Sequence, residues 1–196
     1  KDFVDFSARM GMLLSDGELK CDVLVLHTMS SAWIERKNDG YQQKIEEHNK
    51  RLMEISVLLD KNQIIHHLGD DKIMSKYANV KDGLLNVGKM SYGTVIVPGS
   101  RIIDSNTFRL IEEFAKSGGN LIFVGQIPEY IDGIASEKVK ELAEKCTHID
   151  NFNEVLAHIP ESAKYCSVTD KNGNNADIQF AYRNHGDFEM YYFVNT

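Results

Sequence analysis

The sequence has few cysteines, no excess of basic residues and no long apolar run, and each shortage excludes a class of protein. Cys21, Cys146 and Cys166 are odd in number and far apart, so they predict neither a disulfide framework nor a metal site. Lys and Arg total 22 against 29 Asp and Glu, a formal net charge of -7. This balance argues against nucleic acid or an anionic membrane as a partner. No stretch approaches the roughly 20 apolar residues of a membrane helix.

Repeats and low-complexity tracts are also missing, and 196 residues suffice for one core plus part of a second unit. The chain starts at Lys1 in a helical pattern, without an initiator methionine, and ends at Thr196 directly after a strand-like run. Both features favour a piece of a longer protein. For that reason the lack of a signal peptide predicts no compartment, and the localisation stays unknown.

A strand–helix–strand unit in the middle of the chain indicates the fold class. Thr94 to Val97 is an all-apolar run closed by Pro98 and Gly99, and Leu121 to Val124 is a second such run. A helical pattern between them ends at Gly118, which suits the left-handed residue after a helix. Runs of branched apolar residues that do not alternate with polar residues are typical of a parallel sheet that helices cover on both faces.

Further elements extend this pattern toward both ends of the chain. The sequence predicts strands over Cys21 to Leu26, Gln63 to His67 and Thr147 to Ile149. It predicts helices over Tyr41 to Asp60, from Asp70 or Asp71 through Tyr77, after Asp104 or Ser105, and over Ser136 to Lys145 and Asn153 to Ala157. The expected class is α/β, with a doubly wound, mostly parallel sheet of the flavodoxin-like (class I amidotransferase-like) kind.

The pattern changes near residue 160. Lys164 to Thr169, Asp177 to Arg183 and Glu189 to Val194 alternate in the manner of antiparallel strands, with Asn- and Gly-containing turns between them. We therefore expect a helical lead-in over residues 1–20, an α/β domain over 21–160 and an antiparallel β extension over 161–196. The extension would be the start of a truncated β-sandwich.

Candidate chemistry in the loops is sparse. Thr28, Ser30 and Ser31 follow the first strand and could bind phosphate, but this loop lacks glycine. The elbow after Leu121 to Val124 holds Gln126 where a nucleophile would stand, so it has nothing to activate. His66 and His67 are neighbours in a strand and point to opposite faces, which argues against a shared metal ion.

Two other residue types leave alternatives open. Trp33, the only tryptophan, could stack on a sugar face, or could fill a gap between helix and sheet or against a neighbouring domain. The acidic pairs Glu46–Glu47, Glu112–Glu113 and Asp70–Asp71 are explained by solvated helix faces and helix ends. The sequence therefore supports no catalytic residue, no cofactor and no metal.

Four local patterns, taken in chain order, resemble a known family. They are Ser7 to Leu14 with Asp22 to Leu26 and Ser31 to Trp33; Ile64 to Asp70 with Gly88 and Tyr92; Val95 to Pro98 with Gly118 to Ile122, Gly125 and Pro128; and Tyr182–Arg183 with Tyr192 to Asn195. Their order and spacing, over nearly the whole chain, are similar to the region after the catalytic barrel in large α-L-rhamnosidase-like glycoside hydrolases. β-Galactosidases with an amidotransferase-like trimerisation domain are similar too.

The resemblance implies a non-catalytic accessory domain, because the catalytic carboxylates of such enzymes lie on a separate barrel. It implies as partners the catalytic barrel and β-sandwich domains of the same polypeptide, and carbohydrate or a homo-oligomer as further possibilities. In that case Trp33, Met29 and Tyr92 are the expected interdomain contacts. The alternative is a free-standing flavin- or sugar-binding protein. Thr28, Ser30, His66, Ser100 and Gln126 would then converge on one crevice.

Overall fold

The computed structural model describes residues 2–28 and 41–195, and its centre is a five-stranded sheet. The strands are β2 (Val23–His27), β3 (His66–Asp70), β7 (Thr94–Pro98), β9 (Asn120–Val124) and β12 (Thr147–Ile149). Their order across the sheet is β12-β9-β7-β2-β3, and every neighbouring pair is parallel. The α/β class and the parallel sheet predicted from the apolar runs are confirmed.

Five α-helices and two 3₁₀ helices lie in the described part of the chain. They are α1 (Asp2–Ser15), α2 (Tyr41–Lys61), α3 (Asp71–Tyr77), α4 (Ser105–Lys116), α5 (Lys138–Ala143), η1 (Phe152–His158) and η2 (Glu161–Ala163). Within residues 2–28 and 41–195, none of these helices combines the length and apolar character that crossing a membrane requires.

The two faces of the parallel sheet are buried in two separate apolar clusters. Alternate strand residues point to opposite faces, so Val23 and Val25 meet one cluster while Leu24 and Leu26 meet the other. Helix α2 packs on the first face through Leu52, Ile55 and Leu59, and helix α4 packs on the second through Phe108, Leu110, Ile111 and Phe114. This two-sided burial is why the strands carry no polar alternation.

Polar side chains define the helix ends near the sheet. The Asp70 carboxylate accepts from the backbone N–H of Lys72 and Ile73, and Asp104 accepts in the same way from Asn106 and Thr107. Gly118 has a φ of +91° directly after the end of α4. These caps satisfy backbone groups that a helix end leaves unpaired. The sequence predicted Gly118 and left two candidates for each of the other caps, Asp70 or Asp71 and Asp104 or Ser105.

Three smaller sheets surround this core. One is antiparallel and consists of β4 (Ala78–Lys81), β5 (Leu84–Val87) and β6 (Met90–Tyr92); another joins β8 (Ile102–Ile103), β10 (Tyr130–Ile131) and β11 (Ile134–Ala135). The third, which we call the terminal sheet, has the order β1 (Glu18–Leu19), β13 (Ile178–Asn184) and β14 (Glu189–Asn195). The terminal sheet therefore joins the start of the chain to its end.

Two predicted strands differ in the structure. The predicted strand over Gln63 to His67 is observed as β3, three residues later, because Gln63 has a φ of +58° and ends helix α2. Lys164 to Thr169 is not a strand, and only an isolated bridge joins Thr169 to Asn175. Its backbone binds a side chain instead, since Gln63 Nε2 donates to the carbonyl of Val168 at 2.8 Å.

The helices after residue 130 are shorter or tighter than predicted. Helix α5 covers only Lys138–Ala143 of the expected Ser136 to Lys145, and the expected helix over Asn153 to Ala157 is the 3₁₀ helix η1. The lead-in helix ends at Ser15, and β1 then pairs with β13. The division into domains at residues 20 and 160 stays a prediction.

Candidate functional site at the carboxyl ends of the strands

The strand order reverses its direction between β2 and β7, which is the position at which open α/β sheets form a crevice. Successive strands are added on one side of β2 and then on the other. Open α/β sheets bind ligands in such a crevice, beyond the carboxyl ends of the strands. Here Thr28 follows β2, and Gly99 and Ser100 follow β7.

Two buried polar side chains in this region have unsatisfied hydrogen-bonding groups. Thr28 is fully buried and His48, on helix α2, is 7% exposed. Within the described residues, the Thr28 hydroxyl and both ring nitrogens of His48 make no hydrogen bond of acceptable distance and angle, although the Gly99 backbone lies close enough to the His48 ring to raise its pKa. Buried polar groups are rarely left in this state, so these atoms mark a candidate polar site.

The surroundings of His48 disfavour protonation of its ring. Burial lowers the pKa of His48, the nearby His27 and Arg51 lower it further, and Asp71 and the Gly99 backbone act in the opposite direction. The rings of His27 and His48 lie nearly parallel, with centroids 6.5 Å apart. A neutral imidazole offers one donor and one acceptor, which suits a hydroxyl-bearing ligand.

Charged groups beside His48 are held by the scaffold. The Arg51 guanidinium donates to the Gly99 carbonyl at 3.2 Å and lies 3.8 Å from the Glu47 carboxylate. Asp71 is buried and accepts from the Thr107 hydroxyl at 2.7 Å. The first contact ties α2 to the loop after β7, and the second ties α3 to α4.

Ser100 and Gln126 meet at the same edge of the sheet. The Ser100 N–H donates to the Gln126 carbonyl at 3.3 Å, and the Ser100 hydroxyl donates to the carbonyl of Ile102 at 3.3 Å. Ser100 is buried, whereas Gln126 is exposed. Three predicted residues, Thr28, Ser100 and Gln126, therefore follow neighbouring strands at one edge, as the carboxyl-end argument requires.

His66 and Tyr92 lie at the opposite edge. His66 is the first residue of β3 and pairs with Val23 at the start of β2, so a five-residue strand, about 13 Å long, separates it from the crevice. Tyr92 precedes β7, is 4% exposed, and its hydroxyl lies 2.9 Å from His67 Nδ1. Burial raises the pKa of Tyr92 to about 12. Neither residue joins Thr28 at one site, and Tyr92 offers little surface to a neighbouring domain.

The remaining predicted residues, Met29, Ser30 and Trp33, lie outside the described part of the chain. His48, Arg51 and Asp71 were not predicted as site residues. The sequence places His48 on the buried face of the helix over Tyr41 to Asp60, at helical spacing with Ile45 and Leu52, and a histidine in this otherwise apolar stripe was the signal available. Arg51 and Asp71 gave no signal, since their role depends on how three helices meet.

Two kinds of reactive group matter among the described residues at this edge of the sheet: a nucleophile at the elbow after β9, and a set of metal ligands. The turn after β9 consists of Gly125 and Gln126, so this elbow has neither thiol nor hydroxyl to act as a nucleophile. Among residues 2–28 and 41–195, no group of three or more His, Cys, Asp or Glu side chains is placed to hold a metal ion. The buried polar groups near this edge are the Thr28 and Ser100 hydroxyls and the His48 imidazole.

The titration of His48 gives a testable pH dependence. Burial lowers the pKa of this ring from 6.5, so the unfolded chain binds the proton more readily than the folded chain. Stability should be unaffected above pH 6.5 and should fall as the pH drops below it. Burial also lowers the pKa of His67, so His48→Leu should remove only part of the acid-side loss. Urea unfolding at pH 7.5 and 5.5 measures this loss.

The exposed His158→Leu is the matched control for this experiment. Its difference in unfolding free energy between the two pH values should equal that of the wild type. An unchanged difference in His48→Leu would contradict the inferred burial effect.

Comparisons with known proteins identify a similar fold. No protein-family model and no curated protein matches the sequence. Among solved structures, the chain is similar to part of a rhamnosidase from Novosphingobium sp. PP1Y, with a TM-score of 0.60 and 15% sequence identity. The match covers 99% of this chain and 19% of the rhamnosidase chain, so this chain spans about a fifth of that protein's length. At this identity, the similarity is one of fold.

Proposed function

We propose that this chain is a non-catalytic accessory domain of a glycoside hydrolase. The observation that carries the proposal is the fold similarity over 99% of the chain to a segment that makes up 19% of a rhamnosidase. An accessory domain is expected to match a small share of a large enzyme in this way. The order of local motifs along the sequence points to the same class of enzyme.

The strand order supports a finer assignment of the fold. Numbered along the chain, the parallel strands run 2-1-3-4-5 across the sheet, which is the flavodoxin-like, doubly wound order. We assign the central unit to that group. The amidotransferase-like comparison has less support, because Gln126 stands at the elbow where those enzymes carry a cysteine.

The surface of α1 suits contact with a catalytic barrel of the same polypeptide. Phe3 is 79% exposed and Phe6 59%. Further along the helix, Met12 is 73% exposed, and Val4, Leu13 and Leu14 are exposed as well. A single exposed apolar residue is common, but a group of this size on one short helix marks an interaction surface. A β-sandwich neighbour, predicted from the sequence, remains a second proposed partner.

The test uses the complete reading frame that encodes this chain. It should encode a barrel with two carboxylates placed for glycoside hydrolysis, and a frame without one contradicts the proposal. In the complete enzyme, Phe3→Asp with Phe6→Asp should lower the midpoint of thermal unfolding by several degrees, because the charges disrupt the proposed contact. In the isolated chain the same pair should have little effect, since both side chains are exposed. Asp5→Ala is the control on the same helix.

A second function, binding of a small hydroxylated molecule, is favoured by the unsatisfied groups of Thr28 and His48. A hydroxyl group both donates and accepts, as do the Thr28 hydroxyl and a neutral imidazole. This chemistry suits a sugar better than the phosphate of a flavin. Phosphate-binding loops usually contain glycine, and the sequence with Thr28, Ser30 and Ser31 does not. Calorimetry of the isolated chain with simple sugars and with flavin mononucleotide separates the two functions. Tight binding of either would favour the small-molecule protein, and no binding would favour the accessory domain.

A further inference from the structure

Among the described residues, the last strand of the terminal sheet has no partner on one of its two edges. β14 pairs with β13 along all seven of its residues, and it is the outermost strand in the order β1-β13-β14. Its central residues, Met190 to Val194, carry neither a charge nor a proline. Phe193 is 45% exposed and Val194 is 42% exposed.

One hydrogen bond determines which backbone groups of β14 point outward. The Lys20 N–H donates to the Tyr182 carbonyl at 3.0 Å, so the backbone polar groups of Tyr182 face β1. Tyr182 lies opposite Tyr191. This is consequently a non-hydrogen-bonded pair of the β13–β14 ladder, and the N–H and C=O of Tyr191 face away from β13.

Two observations agree with this assignment of hydrogen-bonded and non-hydrogen-bonded pairs. The rings of Tyr182 and Tyr191 stack with centroids 4.6 Å apart, as expected for a non-hydrogen-bonded pair, whose side chains lie closer together. The third facing pair from there toward the turn, His185 and Phe188, is hydrogen-bonded, with the His185 N–H donating to the Phe188 carbonyl at 3.0 Å, as alternation along the ladder requires.

Because the direction of the backbone N–H and C=O groups alternates along a strand, four residues of β14 direct these groups away from β13. Glu189, Tyr191, Phe193 and Asn195 all direct N–H and C=O outward. Within residues 2–28 and 41–195, no backbone group outside β13 binds β14. Natural edge strands are usually short, or carry lysine, proline or a bulge that blocks further pairing. β14 has a regular seven-residue register and no such residue.

We infer that β14 pairs antiparallel with β14 of a second copy of this chain, about a two-fold axis at Tyr192. In this register Tyr191 lies opposite Phe193 of the second copy, Met190 opposite Val194, and Glu189 opposite Asn195. All the outward-facing groups are then hydrogen-bonded, and each glutamate faces an amide and not a like charge. The inference does not depend on the proposed enzyme class.

The side chains support the same register. Phe180 lies opposite Phe193, and their ring centroids are 6.0 Å apart. Pairing of the two β14 strands places Phe193 beside Tyr191 of the second copy, which is itself stacked on Tyr182. Phe180 and Phe193 of one copy would then form a row of four rings with Tyr191 and Tyr182 of the other copy. The two-fold axis generates a second such row, and cross-strand aromatic pairs stabilise antiparallel sheets. An isologous contact of this kind closes at two copies.

The test is sedimentation equilibrium of the intact chain over a range of concentrations. The wild type should form a particle of twice the 22.2 kDa chain mass, and salt should strengthen it by screening the charge of -7 on each copy. Phe193→Pro should weaken the dimer at least tenfold, because proline removes an outward N–H. The substitution leaves the pairing with β13 intact, because the N–H of residue 193 does not face β13. Phe193→Ala keeps that N–H and should weaken the dimer less.

Amide hydrogen exchange provides an independent readout at single residues. The amides of Tyr191 and Phe193 should exchange slowly in concentrated solution and fast after dilution. Those of Tyr192 and Val194, which face β13, should exchange slowly in both. A chain that is monomeric at millimolar concentration, or protection that does not change with dilution at Tyr191 and Phe193, overturns the inference.

Discussion

Replacing Gln63 with leucine is expected to lower the free energy of unfolding by about 3 kcal/mol. The buried Gln63 side chain joins the end of helix α2 to the segment from Val168 to Ala176, which is far away in the sequence. Gln63 is 4% exposed, and its amide nitrogen donates to the carbonyls of Val168 and Ala176 at 2.8 and 3.0 Å. Its amide oxygen accepts from the Val168 N–H at 2.7 Å. Leucine fills a similar volume but leaves these partly buried backbone groups unpaired.

Urea unfolding measures the loss, and amide exchange should show that the segment near Val168 opens first. Gln43→Ala, on helix α2, is the matched control. Gln43 is exposed and makes only a 3.4 Å contact with Glu47, so this change should alter the free energy of unfolding by less than about 0.5 kcal/mol. Equal effects of the two variants would show that the three hydrogen bonds contribute little.

Gly119→Ala should destabilise the protein by a similar amount, about 3 kcal/mol, for a steric reason. A Cβ atom on Gly119 would overlap three atoms of the Phe114 ring. Phe114 is fully buried in the cluster between α4 and the sheet, so its ring has no free space to enter. The melting temperature should fall by roughly 6 to 12 °C for a chain of this length.

Two further variants separate this clash from other effects of replacing glycine. Gly173 has a φ of +83° and open space around it, so Gly173→Ala measures left-handed strain alone, about 1 kcal/mol. Phe114→Leu removes ring atoms, and Gly119→Ala combined with Phe114→Leu should be more stable than the sum of the single effects predicts. Additive effects would mean that the ring does not cause the loss.

The sequence was sufficient to predict the parallel strands and the helix caps. The apolar runs at Thr94 to Val97 and Leu121 to Val124 identify strands that are buried on both faces, and Asp70, Asp104 and Gly118 mark helix ends through local geometry. These features depend on residues within one turn or one strand. Local chemistry therefore determines them wherever the rest of the chain lies.

Part of the candidate site followed from the same reasoning. Thr28, Ser100 and Gln126 each come directly after a predicted strand, and parallel strands bring such residues to one edge. His66 was assigned to the same edge because its strand was predicted three residues too early. The left-handed conformation of Gln63 delays the strand, so His66 begins it and lies at the other end of the sheet.

The sequence by itself determined the α/β class and the buried strands, because each depends on side chains that are near in the chain. Only the tertiary structure decided the strand order, the unpaired edge of β14, the Gln63 contacts with Val168 and Ala176, and the surroundings of His48. Each of these joins residues that are dozens of positions apart. Their pairing is selected by the free energy of the whole packed core, which no local pattern encodes.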